Sequence, residues 1–240
     1  MITQAVISSG GLGTRLRPHT DKIPKVMIPI SGKPLLQWHI EQFKKYGVKE
    51  FFLTLHYLPD VIMQYFSDGS RWGVKIHYAI EEKPLGSAGG LKLFEGKLKD
   101  AFFFIYGDIF SVLDYSKMAK NYEQKNNPVG MQRMKRTDDY TDADVAELDA
   151  NGKFIAIHKK PHTEKYPNAW RMRGIFILNK KLLSYMPAKI TFDLAKDLLP
   201  KAIADGENFY SYECDDYSKG IDAIEKWKEV EAKVRELMEV

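Results

Sequence analysis

The stretch Ala5-Val6-Ile7-Ser8-Ser9-Gly10-Gly11-Leu12-Gly13-Thr14-Arg15-Leu16-Arg17-Pro18 decides the fold class. A short apolar run ends in serines and glycines, which reads as a buried strand entering a loop. Glycines directly after a strand let backbone N–H groups approach an anion closely. Two common uses of such a loop do not fit. A dinucleotide-binding turn needs G-x-G-x-x-G, and Leu16 stands where the third glycine belongs. A Walker A loop needs Gly-Lys followed by Ser or Thr, and no Gly-Lys pair here is so followed. What remains is a phosphate cradle carrying its own cation, Arg15. Its guanidinium is planar, permanently charged and suited to bidentate phosphate contact. Lys25, after Pro24, supplies a second cation. The competing reading of these residues alone is a tight structural turn with a surface arginine.

From this loop onward strand and helix signals alternate. Leu35, Leu36, Trp38, His39, Ile40 and Phe43 repeat near 3.6 and predict an amphipathic helix closed by Gly47. Strands are predicted at 51–57, 74–80 and 102–106, and helices at 59–66, 89–98 and 114–125. Strands separated by helices of this length imply parallel pairing through right-handed crossovers. The second half is less regular. It predicts strands at 129–135, 143–148, 154–158 and 174–178, with Asn151-Gly152 as a hairpin turn. Helices are predicted at 193–205, where Pro200 interrupts the pattern, and at 223–238. The sequence predicts an acidic loop at 138–144. The expected architecture is α/β, a Rossmann-like three-layer fold on a mixed, mostly parallel sheet, in one domain over residues 1–240.

Composition excludes several classes. The 240 residues carry 36 Lys and Arg against 32 Asp and Glu, a net charge of +4, too weak to argue for nucleic acid. The longest apolar run, Ala101 to Tyr106, is far short of the roughly 20 residues a membrane span needs. The N-terminus has no cation before its apolar segment and does not read as a signal peptide. One cysteine, Cys214, allows no internal disulfide and fits a reducing cytoplasm. The six histidines show no zinc pattern. Assembly into a homo-oligomer stays open.

The run Gly10 to Pro18, followed by Pro24-Lys25 and Met27-Ile28-Pro29-Ile30, resembles the signature of the sugar-1-phosphate nucleotidyltransferases. The resemblance continues in order along the chain. Pro84-Leu85-Gly86-Ser87-Ala88-Gly89-Gly90-Leu91 is similar to the family's P-L-G-T-A-G segment, closest in look to mannose- and heptose-1-phosphate guanylyltransferases. Gly107-Asp108 matches the family's metal-binding aspartate. Lys159-Lys160-Pro161 matches its E-K-P segment, and Arg173-Gly174-Ile175-Phe176 its N-x-G-I-Y segment. The C-terminal β-helix of some relatives is not expected here.

The resemblance implies attack by a sugar 1-phosphate on the α-phosphorus of a nucleoside triphosphate, with loss of pyrophosphate. Gly10, Gly11, Gly13 and Thr14 would cradle phosphates. Arg15 and Lys25 would neutralise charge as the bond breaks, and Asp108 would hold Mg²⁺. Pro84, Gly86, Ser87 and Gly89 would line the base and sugar pockets, with Lys160 on the sugar phosphate and Gly174 beside the sugar. GTP is the favoured nucleotide. The alternatives are a cytidylyltransferase for another phosphorylated alcohol and a non-catalytic nucleotide-sugar sensor. Two positions depart from the family. Its second metal aspartate falls on Gly220, and the order D-I-G has become G-I-D, ending at Asp222. Asp222 is then either the replacement metal ligand, with Asp216 a weaker candidate, or the cap of the last helix. Lys159 replaces a glutamate, exchanging an acceptor for a donor.

Overall fold

The computed structural model describes residues 1–136, 143–162, 164, 166, 170–187 and 191–238. Of the acidic stretch 138–144, only Ala143 and Asp144 fall within these residues. The first elements in chain order are β1 (Gln4–Ser8), β2 (Pro29–Ile30), β3 (Lys33–Pro34), α1 (Leu35–Lys45), β4 (Glu50–Leu55), α2 (Pro59–Phe66) and β5 (Lys75–Ile80). Next come α3 (Gly86–Lys92), β6 (Ala101–Tyr106), β7 (Ile109–Ser111), α4 (Tyr115–Gln124), β8 (Gly130–Arg136), β9 (Val145–Leu148) and β10 (Phe154–His158). The chain closes with β11 (Trp170–Asn179), α5 (Leu199–Ala204), β12 (Phe209–Glu213), β13 (Ser218–Gly220) and α6 (Ile224–Met238).

Two compact units are present. The first comprises Met1–Pro84, Ile105–Tyr115 and Asp216–Val240, and the second Leu85–Phe104 and Ser116–Asp215. In the first unit β1 pairs parallel with β4, and β4 parallel with β5, with the end of β6 on the other side of β1. The parallel strands are continuous apolar runs because both faces are covered. Val6, Ile7, Phe51, Phe52 and Leu53 are all completely buried. In the second unit β12 pairs parallel with β8, while β11 runs antiparallel to β8 and β9. β9 and β10 form the hairpin expected at Asn151-Gly152, with Gly152 at φ 77°. The architecture is mixed α/β with a mostly parallel central sheet, as the alternation of the first half predicts.

Several boundaries differ from expectation. The helix predicted at 89–98 instead begins at Gly86 and ends at Lys92. Residues 193–205 open with a π-helical turn, Leu194–Leu198, before α5 begins one residue ahead of Pro200. Proline lacks the N–H an α-helix interior requires, so it is accommodated in a first turn. β7, β12 and β13 were not predicted. β13 matters most, because its antiparallel pairing with β7 carries Asp222 to the end of β6. Among the described residues, no helix is long and apolar enough to cross a membrane.

Candidate active site

The glycine loop leaves β1 as its pairing with β4 ends, where Ser9 N–H still donates to Thr54 O at 3.0 Å. Gly13 lies at φ 64°, and a Cβ there would meet Thr20 Cγ2 at 3.0 Å and Lys25 Cβ at 3.2 Å. Only glycine combines that conformation with that approach. Thr20 Oγ1 closes the loop by donating to Gly13 O at 2.7 Å. Thr14–Leu16 then forms a 3₁₀ turn. A Cβ at Gly11 would meet nothing within 4 Å, so that side of the loop is open. Leu16 is fully buried with Ile28, Ile30, Leu35, Phe110, Ile221, Val230 and Val234. The residue that breaks the dinucleotide pattern therefore anchors the loop to the core. Its neighbour Arg15 stays outside, with its side chain 72% exposed.

Lys25 enters from the 3₁₀ turn Lys25–Met27, and its Nζ lies 2.6 Å from Asp108 Oδ2. Asp108 occupies the turn between β6 and β7. Its carbonyl accepts from Ile221 N–H at 2.8 Å, extending the β7–β13 register in which Gly220 faces Ile109. The next residue, Asp222, places Oδ2 3.1 Å from Arg15 and Oδ1 2.8 Å from Lys226 Nζ. Burial raises the Asp222 pKa, but hydrogen bonding and charge from Lys226, with the charges of Arg15 and Lys25, outweigh it and hold the carboxyl below its ordinary value. Arg15, Lys25, Asp108 and Asp222 thus form one alternating set of cations and carboxylates. α6 starts at Ile224, so Ala223 occupies the cap position, and the Asp222 carboxylate faces Arg15 and Lys226 instead. Asp216 Oδ2 accepts from Asp114 N–H at 3.4 Å, at the opposite end of the β7–β13 pair. Below the cluster, His39 Nε2 lies 3.1 Å from Gly107 O. Burial drives the His39 pKa down to about 4, despite the opposing influence of that bond and of Asp108.

The second unit holds most of the remaining predicted residues. Gly86 lies at φ 76°, and a Cβ would sit 2.6 Å from Phe192 O, so glycine is required. Ser87 Oγ donates to Asp193 Oδ2 at 2.8 Å and accepts from Leu194 N–H at 2.9 Å. Gly89 N–H donates to Phe192 O at 3.0 Å. These polar groups therefore pin α3 to the segment 192–194, a connection that sequence spacing does not reveal. Asp193 also caps the π turn through Ala195 and Lys196 N–H. Lys160 N–H donates to Asp144 Oδ1 at 3.1 Å. Lys159 Nζ donates to Lys196 O at 2.6 Å, so the departure from the family's glutamate is absorbed by a backbone carbonyl. Gly174 lies where the β11–β8 register shifts between Met172 and Phe176, the irregularity a glycine inside a strand signals. Pro84 ends the first of the three stretches that make up the first unit.

Known proteins are similar to this chain over most of its length. Residues 4–232 match the family described as nucleotidyl transferase. A UTP–glucose-1-phosphate uridylyltransferase from Synechocystis is 32% identical over 225 residues, covering 88% of this chain and 58% of its own length. A D-glycero-α-D-manno-heptose 1-phosphate guanylyltransferase from Campylobacter jejuni is 39% identical over 146 residues, 61% of this chain and 65% of its own. The chain thus spans about three fifths of the length of these relatives. Among solved structures, HddC from Yersinia pseudotuberculosis, complexed with GMP-PN, superposes with a TM-score of 0.79 at 27% identity. That superposition covers 97% of this chain and all of the other. The chain belongs to the nucleotidyl transferase family.

Proposed function

We propose that the protein joins a nucleoside triphosphate to a sugar 1-phosphate, giving a nucleotide-sugar and pyrophosphate, with GTP the preferred nucleotide. The observation that carries this reading is the set formed by Arg15, Lys25, Asp108 and Asp222 beside an open glycine loop. The guanine preference draws on the 39% identity to the heptose 1-phosphate guanylyltransferase and the likeness to the GMP-PN complex.

In the reaction, an oxygen of the sugar 1-phosphate forms a bond to the α-phosphorus. The bond from that phosphorus to the bridging oxygen of the β-phosphate breaks, and its electron pair leaves with pyrophosphate. Arg15 and the N–H groups of Gly11 and Gly13 bind the triphosphate. Arg15 exchanges its exposed pairing with Asp222, worth at most about 1 kcal/mol, for a doubly charged partner. Lys25 is less exposed and sits beside Asp108, so it stays in place and faces the charge that develops on the α-phosphate. Lys160 contacts the sugar phosphate.

Asp108 and Asp222 fit Mg²⁺, which binds through one or two carboxylates plus substrate phosphates. Among the described residues no group of three or more His, Cys, Asp and Glu is gathered that could hold a metal by itself. Asp108 and Asp222 would hold the ion, which would supply positive charge against the charge developing on the α-phosphate and the leaving group. The reading is tested by pyrophosphate release with Mg²⁺ across GTP, UTP, CTP and dTTP against a panel of sugar 1-phosphates. GTP with one sugar 1-phosphate is expected to give the highest kcat/KM. Another base ahead of GTP overturns the nucleotide assignment and leaves the reaction class intact.

A further inference from the structure

The backbone that carries Asp108 is held from three directions. Gly107 N–H donates to Ser8 O at 2.9 Å, at the end of β1. Asp108 O accepts from Ile221 at 2.8 Å, from the β13 side. The third hold comes from α1, through His39 Nε2 at 3.1 Å from Gly107 O. A carbonyl oxygen only accepts, so Nε2 carries the hydrogen. Three residues along, Gln42 Nε2 donates to Ser111 O at 2.6 Å. Residues three apart share a helix face, so α1 grips both ends of segment 107–111. His39 is 3% exposed, so its bond is shielded from bulk solvent. On the apolar face of α1 a leucine would fill the space but leave the Gly107 carbonyl buried and unpaired.

We propose that His39 is a positioning residue: through the Gly107 carbonyl it fixes the turn that aims the Asp108 carboxylate. Its kinetic consequence rests on the nucleotidyltransferase reading, and its structural consequence does not. Asp108 must keep its place against Lys25 and beside Asp222, and a misplacement of about 1 Å at such a centre costs about 10²-fold in rate.

The test uses His39→Leu and His39→Gln in the full chain. Leucine removes the donor, and the glutamine amide restores one near the Nε2 position. In H39L, hydrogen exchange at the Gly107 and Ile221 amides is expected to speed up about tenfold or more, with β4 amides unchanged. Its kcat is expected to fall about tenfold or more with the KM for nucleotide within about threefold, the signature of a contribution made in the transition state. H39Q is expected to return exchange and kcat close to wild type. Exchange accelerated equally across β4 with unchanged kcat would mean a merely structural role and overturn the proposal. So would unchanged exchange at Gly107 and Ile221 in H39L, or H39Q as impaired as H39L. If H39L does not fold, H39Q decides alone: wild-type exchange supports the brace, and accelerated exchange at Gly107 and Ile221 overturns it. A wild-type chain that is inactive on every substrate pair defeats the functional reading, and the exchange comparison still decides the brace.

Discussion

Arg15 and Asp108 belong to one network but are held very differently. The Arg15 side chain is 72% exposed and contributes little to the fold, so its charge is free to serve a ligand. Arg15→Ala is therefore expected to lower kcat about 10²–10³-fold with the thermal midpoint nearly unchanged. Turnover within threefold of wild type would remove Arg15 from the chemistry. Asp108 pairs at 2.6 Å with Lys25, whose side chain is only 13% exposed. Asp108→Asn should cost about 1–3 kcal/mol in urea unfolding, because Lys25 loses a charged acceptor in a largely dry place. It should also abolish the Mg²⁺ dependence of turnover, and an unchanged Mg²⁺ titration would contradict its assignment. Arg15, Lys25 and Asp108 were legible in the sequence because the glycine loop and the strand-ending Gly-Asp bracket them. His39 and Leu16 were not. Both sit on apolar positions, and periodicity records that a residue is buried without recording which carbonyl or loop it holds.

Elements explain how Asp222 reaches the cluster. β7 and β13 are three residues each, too short for alternation to distinguish a strand from a loop. Their pairing is non-local, so no local signal predicted it, and spacing alone does not reveal that Ile221 hydrogen-bonds to Asp108 with Asp222 next along the chain. The long strands and the helices at 35–45 and 59–66 were legible, since their periodicity spans whole turns and their ends carry glycine or proline. A pH series tests the Asp222 pairing. Its folded-state pKa lies below its unfolded value, so the pairing stabilises the fold above the unfolded value and is lost as pH falls through the folded one. The gap in Tm between wild type and Asp222→Asn should be full near about pH 6 and close below the ordinary value of 3.8. A gap that persists or widens in acid would show that Asp222 is not stabilised as an anion. In the second unit, Gly86→Ala forces a Cβ against Phe192 O in a left-handed conformation. It should cost at least about 1–3 kcal/mol in urea unfolding, and a neutral effect would mean that the 192–194 segment yields easily.

At the scale of the whole chain, the motifs divide between two compact units. The glycine loop, both cations and both carboxylates belong to the first, and Gly86 to Gly89, Lys160 and Gly174 to the second. The order of the motifs along the chain was legible, but this partition was not. β6 passes through both units, and the first unit is assembled from three separate stretches of sequence. No composition shift or linker marks such a boundary. The reaction class makes a demand that neither unit's stability can answer, namely which phosphorus is attacked. The direct measurement incubates the protein with Mg²⁺, a sugar 1-phosphate and GTP labelled at the α-phosphate, then locates the label. Transfer of the α-label into a nucleotide-sugar, matched by unlabelled pyrophosphate, is the predicted result. Label recovered as GDP with release of orthophosphate would contradict attack at the α-phosphorus and with it the nucleotidyltransferase assignment, whereas label left in GTP would overturn only the choice of nucleotide or sugar.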